Sequence, residues 1–262
     1  MDIRIAIAGK GGVGKTTLSA ALTQSLVRAG ERVIAIDADP NNCLGRALGL
    51  PESLLNQTTP LSEMTEMLAE RAGKGDGGSF FSINPKVDDL LDRFRVDWDG
   101  ISLLVMGTVD EPGAGCVCPE SAVLKALLRH LVELDGYSLV MDMEAGLEHL
   151  GRGTAKHIGA ILIVAEPSAA SARTAARIAG LARGLGMRVP GVVMNKVKAQ
   201  EDVAKVLPYL DGLPVLATLP VDLAVAESEA VPRIGPYVQA VDNLRRKLTD
   251  WLGIPNMPPD DS

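Results

Sequence analysis

The chain has 262 residues, of which 47% are hydrophobic and 23% charged, with 27 glycines and 16 prolines. This balance is typical of one large α/β domain with a substantial core and argues against a disordered chain. The net charge of −7 and the aromatic content of 3% argue against a general attraction to nucleic acid or to an anionic membrane surface.

The three cysteines, two of them separated by a single residue, do not form the spaced, even-numbered set of a disulfide framework. No stretch approaches the ~20 apolar residues of a membrane span. Asp2 and Arg4 interrupt the apolar residues at the start, where a signal peptide needs an unbroken run. We therefore expect a cytoplasmic protein.

The first predicted strand runs from Ile3 to Ala8, where apolar residues alternate with small or polar ones. It leads into the segment GKGGVGKTT, residues 9–17, and an apolar-periodic helix follows from Leu18. A strand, a loop of the form GxxxxGK[ST] and a helix, in this order, predict a phosphate-binding loop.

This loop offers three kinds of contact to a nucleotide. Its glycines let backbone N–H groups approach the phosphates closely, and the helix that follows adds its dipole. Lys15 adds a positive charge near the outer phosphates, and Thr16 supplies a hydroxyl for the accompanying Mg²⁺. The predicted nucleotide contacts are Gly11, Gly12, Val13, Gly14, Lys15, Thr16 and Thr17.

A second strand, predicted over residues 32–36, runs into Asp37 and Asp39. Acidic residues at the carboxyl end of a parallel strand, beside the first βα loop, lie where an open sheet binds its ligand. Either aspartate could reach the Mg²⁺ shell or orient an attacking water. The alternative is a pair of aspartates that only form a turn.

Two less regular segments follow: residues 61–72 predict a helix, and residues 88–99 a polar, exposed segment. A buried strand is then predicted over 101–106, and a helix over 119–134 with Pro119 at its start.

Cys116 and Cys118 lie in the glycine-rich segment between that strand and that helix. Residues two apart in an extended chain face the same way, so the two thiolates can bind one soft metal ion. A thiolate-bound Zn²⁺ or similar ion typically takes four ligands, so a second chain would have to supply the other pair. Two thiols that bind no metal are the alternative.

The strand predicted from Ser138 to Met141 ends at Asp142, which begins a segment with the D-x-x-x-G spacing of a second switch. A strand-end carboxylate can hold a Mg²⁺-bound water, and Gly146 permits backbone movement as the γ-phosphate comes and goes. His149 follows, and a lone histidine of this kind more often packs or caps a helix than binds a metal.

The remainder of the chain predicts strands over 158–165, 191–194 and 214–219 and helices over 169–185 and 238–252. Asn195 follows one of these strands, and its amide offers the donor and the acceptor that an adenine edge requires, unless it only forms a turn. Pro220 ends the last strand and could pack against the purine face.

The alternation of strands and helices predicts an α/β fold of the P-loop NTPase type over residues 1–254. We expect one doubly wound, mostly parallel sheet with helices on both faces and the nucleotide at its carboxyl edge. Residues 255–262 are expected to form a C-terminal tail.

The segment GKGGVGKTT resembles the deviant Walker A loop of the class that includes the nitrogenase iron protein and the partition ATPases. The resemblance implies that Lys10 crosses to the phosphates of a facing subunit in a homodimer, whereas charge alone would leave a solvated lysine. It also implies that Asp39, directly before a proline, positions the attacking water and that Asn195 contacts the base.

A narrower resemblance rests on GKGGVGKTT, DADP, CVCPE and DMEAGLEHLGRGT taken together. Over nearly the whole chain these motifs look like the CooC-type ATPases, which help insert nickel into carbon monoxide dehydrogenase. This implies that Cys116 and Cys118 bind Ni²⁺ or Zn²⁺ between two subunits. It further implies an ATP- and Mg²⁺-dependent metallochaperone whose client is carbon monoxide dehydrogenase or acetyl-CoA synthase.

Two other functions compete with this interpretation. An iron–sulfur electron donor is suggested by EPGAGC around Cys116, but that group takes its second cysteine from a position soon after the second switch, where this chain has none. A partition or positioning ATPase would act on DNA or membrane, which the acidic charge disfavours, and it would have no use for two paired cysteines.

Overall fold

The central sheet is built from short apolar runs that recur along the chain. The computed structural model describes residues 2–73, 85–107, 119–144 and 158–254. Its strands are β1 Arg4–Gly9, β2 Val33–Ala38, β3 Val96–Trp98, β4 Ile101–Val105, β5 Ser138–Met143, β6 Ala160–Ala165, β7 Val192–Val197 and β8 Val215–Pro220.

Within these residues the strands form one eight-stranded sheet in the order β3-β4-β2-β5-β1-β6-β7-β8. Every neighbouring pair is parallel except β3 and β4, which are antiparallel. Because the chain proceeds from β1 toward one edge and later from β6 toward the other, the strand order reverses near β1. The loop after β1 therefore lies where an open α/β sheet binds its ligand.

The helices are α1 Lys15–Arg28, α2 Leu44–Leu48, α3 Glu52–Leu55, α4 Thr65–Arg71, α5 Leu90–Phe94, α6 Pro119–Glu133, α7 Ala169–Gly184, α8 Gln200–Val206, α9 Leu223–Ala226 and α10 Pro236–Leu252. Two 3₁₀ turns, Leu61–Glu63 and Leu207–Tyr209, complete them. None of these helices is both long and apolar enough to cross a membrane, as far as the described residues extend.

Alternate residues of each strand supply two separate cores, because successive side chains of a strand point to opposite faces. Ile5 and Ile7 pack with α1, α2 and α10 on one face, whereas Ala6 and Ala8 face α4 to α8 on the other. The predicted doubly wound, mostly parallel sheet with helices on both faces is confirmed.

The segment predicted as one helix over 61–72 is broken at Met64, whose backbone (φ −85°, ψ 55°) leaves the helical region. The preceding 3₁₀ turn is tied to the end of β4, since Ser62 N–H donates to Met106 O at 3.0 Å. This tertiary hydrogen bond fixes the turn at an angle that a continuous helix cannot adopt.

The prediction of an exposed segment over 88–99 is wrong in part. Leu90 and Leu91 are buried in α5, and β3 pairs with the edge of the sheet. The turn between β3 and β4 is Asp99-Gly100, with φ of 50° and 78°, which is the left-handed pair that a two-residue hairpin favours.

Candidate functional site

The phosphate loop connects β1 to α1 at the carboxyl edge of the sheet. Gly12 and Gly14 have φ of 80° and 93°, a region that glycine adopts without steric cost. Gly14 is the N-cap of α1 and has no side chain to occupy the N–H groups of the first helical turn. These groups are therefore available to an anion, as the helix dipole favours.

The predicted contacts of this loop differ in exposure. Gly11 and Gly12 are exposed, Val13 is buried in the core, and Gly14, Thr16 and Thr17 are partly buried. Lys15, the first residue of α1, is only 8% exposed. Its ammonium group thus lies in a setting where a charge acts more strongly than it would in open solvent.

Asp142 in β5 is directly hydrogen-bonded to the first turn of α1. Its carboxylate accepts from Thr16 Oγ1 at 2.6 Å and from Ser19 Oγ at 2.9 Å. Burial raises the pKa of Asp142 to about 6, although both hydroxyls and the charge of Lys15 act in the opposite direction. A hydroxyl and a carboxylate side by side are the hard oxygen donors that Mg²⁺ prefers, so these residues fit a magnesium ion.

Asp37 lies opposite Asp142 on the neighbouring strand and is fully buried. Its carboxylate accepts from Leu44 N–H at 2.9 Å and from Asp39 N–H at 3.2 Å. Burial, together with the nearby charge of Asp142, raises its pKa to about 7 against the effect of these two hydrogen bonds. Asp37 therefore anchors both ends of the loop that carries Asp39.

Asp39 itself is half-buried at the tip of that loop. Its Oδ1 accepts from the backbone N–H of Asn41 at 2.9 Å and from the Asn41 side chain at 2.8 Å, which forms an Asx turn. Both aspartates therefore make the turn-forming contacts of the alternative interpretation, since Asp37 orders the loop and Asp39 shapes its turn. The water-positioning role of Asp39 stays a prediction.

Asn195 and Lys196, at the end of β7, contact the phosphate loop. Asn195 is 3% exposed, and its Nδ2 donates to Val13 O at 2.8 Å. Lys196 Nζ donates to Gly12 O at 2.7 Å and to Glu166 Oε1 at 2.6 Å. The predicted contact of Asn195 with a base stays a prediction.

Two further predicted site residues lie within the part of the chain that the structure describes. Lys10 is exposed on the phosphate loop, as a residue that reaches a second subunit must be, although a solvated lysine is equally exposed. Pro220 is half-buried at the end of β8, in register with Val197.

Cys116, Cys118, Gly146, His149 and the tail 255–262 lie outside the described residues, so their roles stay predictions. Among the residues that the structure does describe, no group of three or more His, Cys, Asp or Glu side chains is placed to hold a metal ion.

Sequence reasoning missed three residues of the site: Ser19, Glu166 and Lys196. Ser19 lies three positions after Thr16, on the same face of α1, so its contact with Asp142 follows from helical spacing. Lys196 and Glu166 carry no local signal, because the loop that Lys196 binds lies 184 positions away.

The raised pKa of Asp37 predicts a pH-dependent stability. The folded-state pKa of about 7 exceeds the usual 3.8, so this group stabilises the fold fully below about pH 4 and loses that contribution as the pH rises to about 7. In Asp37→Asn this loss is absent, while one of the two backbone hydrogen bonds is given up at every pH. Relative to the natural protein, the variant should therefore gain about 3 kcal/mol of unfolding free energy between pH 5 and pH 8.

Urea unfolding at pH 5 and pH 8, without nucleotide or Mg²⁺, measures this difference. Asp135→Asn, at a fully exposed aspartate, serves as the control and should behave alike at both values. An Asp37→Asn variant whose stability relative to the natural protein is the same at pH 5 and pH 8 would contradict the buried, titrating carboxyl.

Comparisons with known proteins agree with this geometry. The model of the CobQ/CobB/MinD/ParA nucleotide binding domain matches residues 5–232. The carbon monoxide dehydrogenase accessory protein CooC of Rhodospirillum rubrum is 43% identical over 228 residues, which covers 87% of each chain. An uncharacterized ATP-binding protein of Methanocaldococcus jannaschii is also 43% identical, over 87% of this chain and 88% of that one.

Solved structures show the same fold at lower identity. The MinD cell division protein of Aquifex aeolicus superposes with a TM-score of 0.66 at 21% identity, over 98% of this chain and 99% of that one. Cobyrinic acid a,c-diamide synthase of Mycobacterium smegmatis, with bound ADP and magnesium, gives 0.65 at 20% identity over 100% of both chains. The chain therefore belongs to the CobQ/CobB/MinD/ParA nucleotide-binding family and is a CooC-type ATPase of that class, as its sequence motifs indicate.

Proposed function

We propose that this ATPase is a homodimeric metallochaperone that delivers nickel to an enzyme such as carbon monoxide dehydrogenase or acetyl-CoA synthase. The observation that supports the proposal most strongly is the 43% identity to a carbon monoxide dehydrogenase accessory protein across 87% of both chains. The whole of residues 1–254 is taken as a single ATPase domain. The cytoplasm, where thiolates stay reduced, suits its chemistry.

The nucleotide half of the proposed function uses the residues at the carboxyl edge of the sheet. Thr16 and Asp39, with Asp142 beside them, would hold Mg²⁺ and its bound water, and the ion when bound neutralises phosphate charge. Lys15 stabilises the charge that develops on the outer phosphates, and Lys10 of a second copy adds a further charge across the interface. Asp39 orients the water that attacks the γ-phosphate. Asn195 and Pro220 are the proposed contacts to the base.

The metal half uses Cys116 and Cys118. Each chain offers two thiolates to the cargo ion, Ni²⁺ or Zn²⁺, and a two-fold symmetric pair of chains offers the four that such an ion commonly takes. The dimer required by Lys10 and the dimer required by the cysteines are then the same assembly. ATP binding, by closing the dimer, would couple the nucleotide state to capture and release of the ion.

Sedimentation of the apo, nickel-loaded and ATP-loaded protein, with metal measured in each peak, tests this assembly. We expect a dimer with one metal ion per two chains, and a tighter dimer with the non-hydrolysable analogue AMPPNP and Mg²⁺. Lys10→Ala should weaken the analogue-dependent dimer about ten- to a hundredfold, because a charge-assisted contact to phosphate is lost, while each chain still binds the analogue.

The matched control is Lys205→Ala, which removes an exposed lysine that pairs with Asp202 on the same helix, α8. A protein that remains a single chain with both nickel and Mg-AMPPNP present would overturn the proposal. A dimer that Lys10→Ala leaves unchanged would refute the crossing role of Lys10 alone.

A further inference from the structure

Two successive carbonyl groups of the phosphate loop are each held by a side chain from the end of β7. Asn195 Nδ2 donates to the carbonyl of Val13 at 2.8 Å, and Lys196 Nζ donates to the carbonyl of Gly12 at 2.7 Å. The two donors are adjacent in sequence, and both contacts span more than 180 positions.

These contacts fix the orientation of two peptide groups. In a planar trans peptide the C=O and the following N–H point in opposite directions. Holding the Gly12 and Val13 carbonyls toward β7 therefore turns the N–H groups of Val13 and Gly14 away from β7. The Val13 N–H donates to Lys10 O within the same loop, with an N···O distance of 3.4 Å. Glycine-rich peptides reorient easily, so this restraint preorganises a loop that would otherwise sample several conformations.

The fit between Asn195 and the loop is close. A Cβ atom built at Gly14 would lie 2.3 Å from Asn195 Nδ2, so a side chain at position 14 would displace the amide. The other end of the amide is also engaged, because Asn195 Oδ1 accepts from Lys196 N–H at 2.9 Å.

The backbone of Lys196 is in the left-handed region, with φ of 57°, which is uncommon for a residue other than glycine. It coincides with an irregularity of β7 between Met194 and Val197, and here two consecutive side chains both reach the same loop, whereas those of a regular strand point to opposite faces. Such backbone strain persists where surrounding contacts over-determine it, as the hydrogen bonds of Asn195 and Lys196 do here.

Glu166, after the end of β6, sets the position of the Lys196 ammonium group. Its Oε1 accepts from Lys196 Nζ at 2.6 Å, and the two side chains are 36% and 49% exposed. An ion pair this exposed contributes little to stability. Its effect is geometric, because the lysine is held between a fixed carboxylate and the loop carbonyl.

We infer that Asn195 and Lys196 are positioning residues that set the phosphate-binding shape of the loop, with Glu166 aiming Lys196. This action on the phosphate chain of the ligand is additional to the base contact proposed for Asn195. This inference rests on nucleotide binding by the phosphate loop, and it is independent of the proposed metal cargo and client.

Tripolyphosphate separates this role from base recognition, because it carries the phosphates of ATP without base or sugar. In Lys196→Met we expect the affinities for Mg-ATP and for Mg-tripolyphosphate, measured by titration calorimetry, to fall together by about ten- to a hundredfold. Lys196→Arg keeps a donor for both Gly12 O and Glu166 Oε1, so it should retain most of the affinity for both ligands. Lys198→Met, at an exposed lysine two residues further along the chain, is the matched control and should change neither affinity.

Asn195→Asp replaces the donor to Val13 with an oxygen at constant size and should reduce the affinity for Mg-tripolyphosphate as well as that for Mg-ATP. Because Asn195 is buried, thermal melting accompanies each titration; the half-exposed Lys196 variants decide the question if Asn195→Asp does not fold. Glu166→Gln keeps an acceptor for Lys196 Nζ and should lower both affinities by a smaller factor.

Three results would overturn the inference. The first is a Lys196→Met variant that loses affinity for ATP while its tripolyphosphate affinity is retained, which would indicate direct contact with base or sugar. The second is a variant that melts at a lower temperature but keeps both affinities, as a purely structural lysine would give. The third is a natural protein that binds Mg-ATP but no tripolyphosphate, since a preorganised loop should take phosphates without the base.

Discussion

Replacement of Lys15 by alanine is expected to lower the rate of ATP hydrolysis at least about a thousandfold, because a preorganised charge at the transferring phosphate is removed from a water-poor site. Lys15 is 8% exposed and its charge opposes the rise in the pKa of Asp142. Without it, two buried carboxyl groups remain at the site with less positive charge beside them, and the pKa of Asp142 should move further upward.

Release of inorganic phosphate at saturating Mg-ATP, measured from pH 5.5 to 8.5, tests both parts of this expectation. Lys198→Ala is the control for the loss of an exposed lysine. Any residual activity of Lys15→Ala should require a higher pH than that of the natural protein. Turnover within about tenfold of the natural rate would refute the assignment of Lys15 to the phosphates.

The double replacement Cys116→Ser and Cys118→Ser is expected to reduce bound nickel or zinc from about one ion per dimer to none. A serine hydroxyl is neutral at pH 7 and is a poor ligand for a soft or borderline ion, whereas a thiolate is a strong one. The loss should be nearly complete, because the same change removes all four proposed thiolates of a symmetric pair of chains.

Elemental analysis of protein loaded with nickel or zinc under anaerobic conditions measures this stoichiometry. The chain offers a matched control in Cys43, its third cysteine, which is exposed after β2 and donates from Sγ to Asn41 O. Cys43→Ser should keep its metal. Retention of the ion by the double variant, or its loss from Cys43→Ser alone, would contradict the proposed pair of thiolates.

The parts of the site that the sequence predicts are those with a local pattern. A strand, a glycine-rich loop and a helix in direct succession specify where the phosphate loop lies, and the buried strand before Asp142 places that carboxylate at the same edge. The sheet order then brings β5 beside β1, and the contact between Asp142 and Thr16 follows from the fold class.

The restraint on the phosphate loop from β7 could not be predicted in this way. Asn195 and Lys196 meet Val13 and Gly12 because β6 pairs with β1 and β7 pairs with β6, although these strands are far apart in the sequence. A side chain that holds a backbone carbonyl leaves no periodicity and requires no particular neighbour in the sequence. Only the relative position of strand ends reveals it.

At the edge of the sheet, by contrast, the sequence contains a local pattern that indicates the hairpin. Asp99-Gly100 is a typical two-residue hairpin turn, flanked by Trp98 and Ile101, which pair across it. β3 has only three residues, too few for an alternation pattern to stand out among polar neighbours. The turn dipeptide was therefore more informative here than the strand.

Protons and a metal ion compete for the site, because two carboxyl groups lie opposite each other on β2 and β5. Without a divalent ion, their elevated pKa values, about 7 for Asp37 and about 6 for Asp142, keep part of the population protonated near neutrality. A magnesium ion attracts the ionised oxygens, so its arrival with the nucleotide should expel hydrogen ions into the medium. Acidification would consequently oppose loading, and each catalytic cycle would be accompanied by a small, reversible exchange of protons with the surrounding solution.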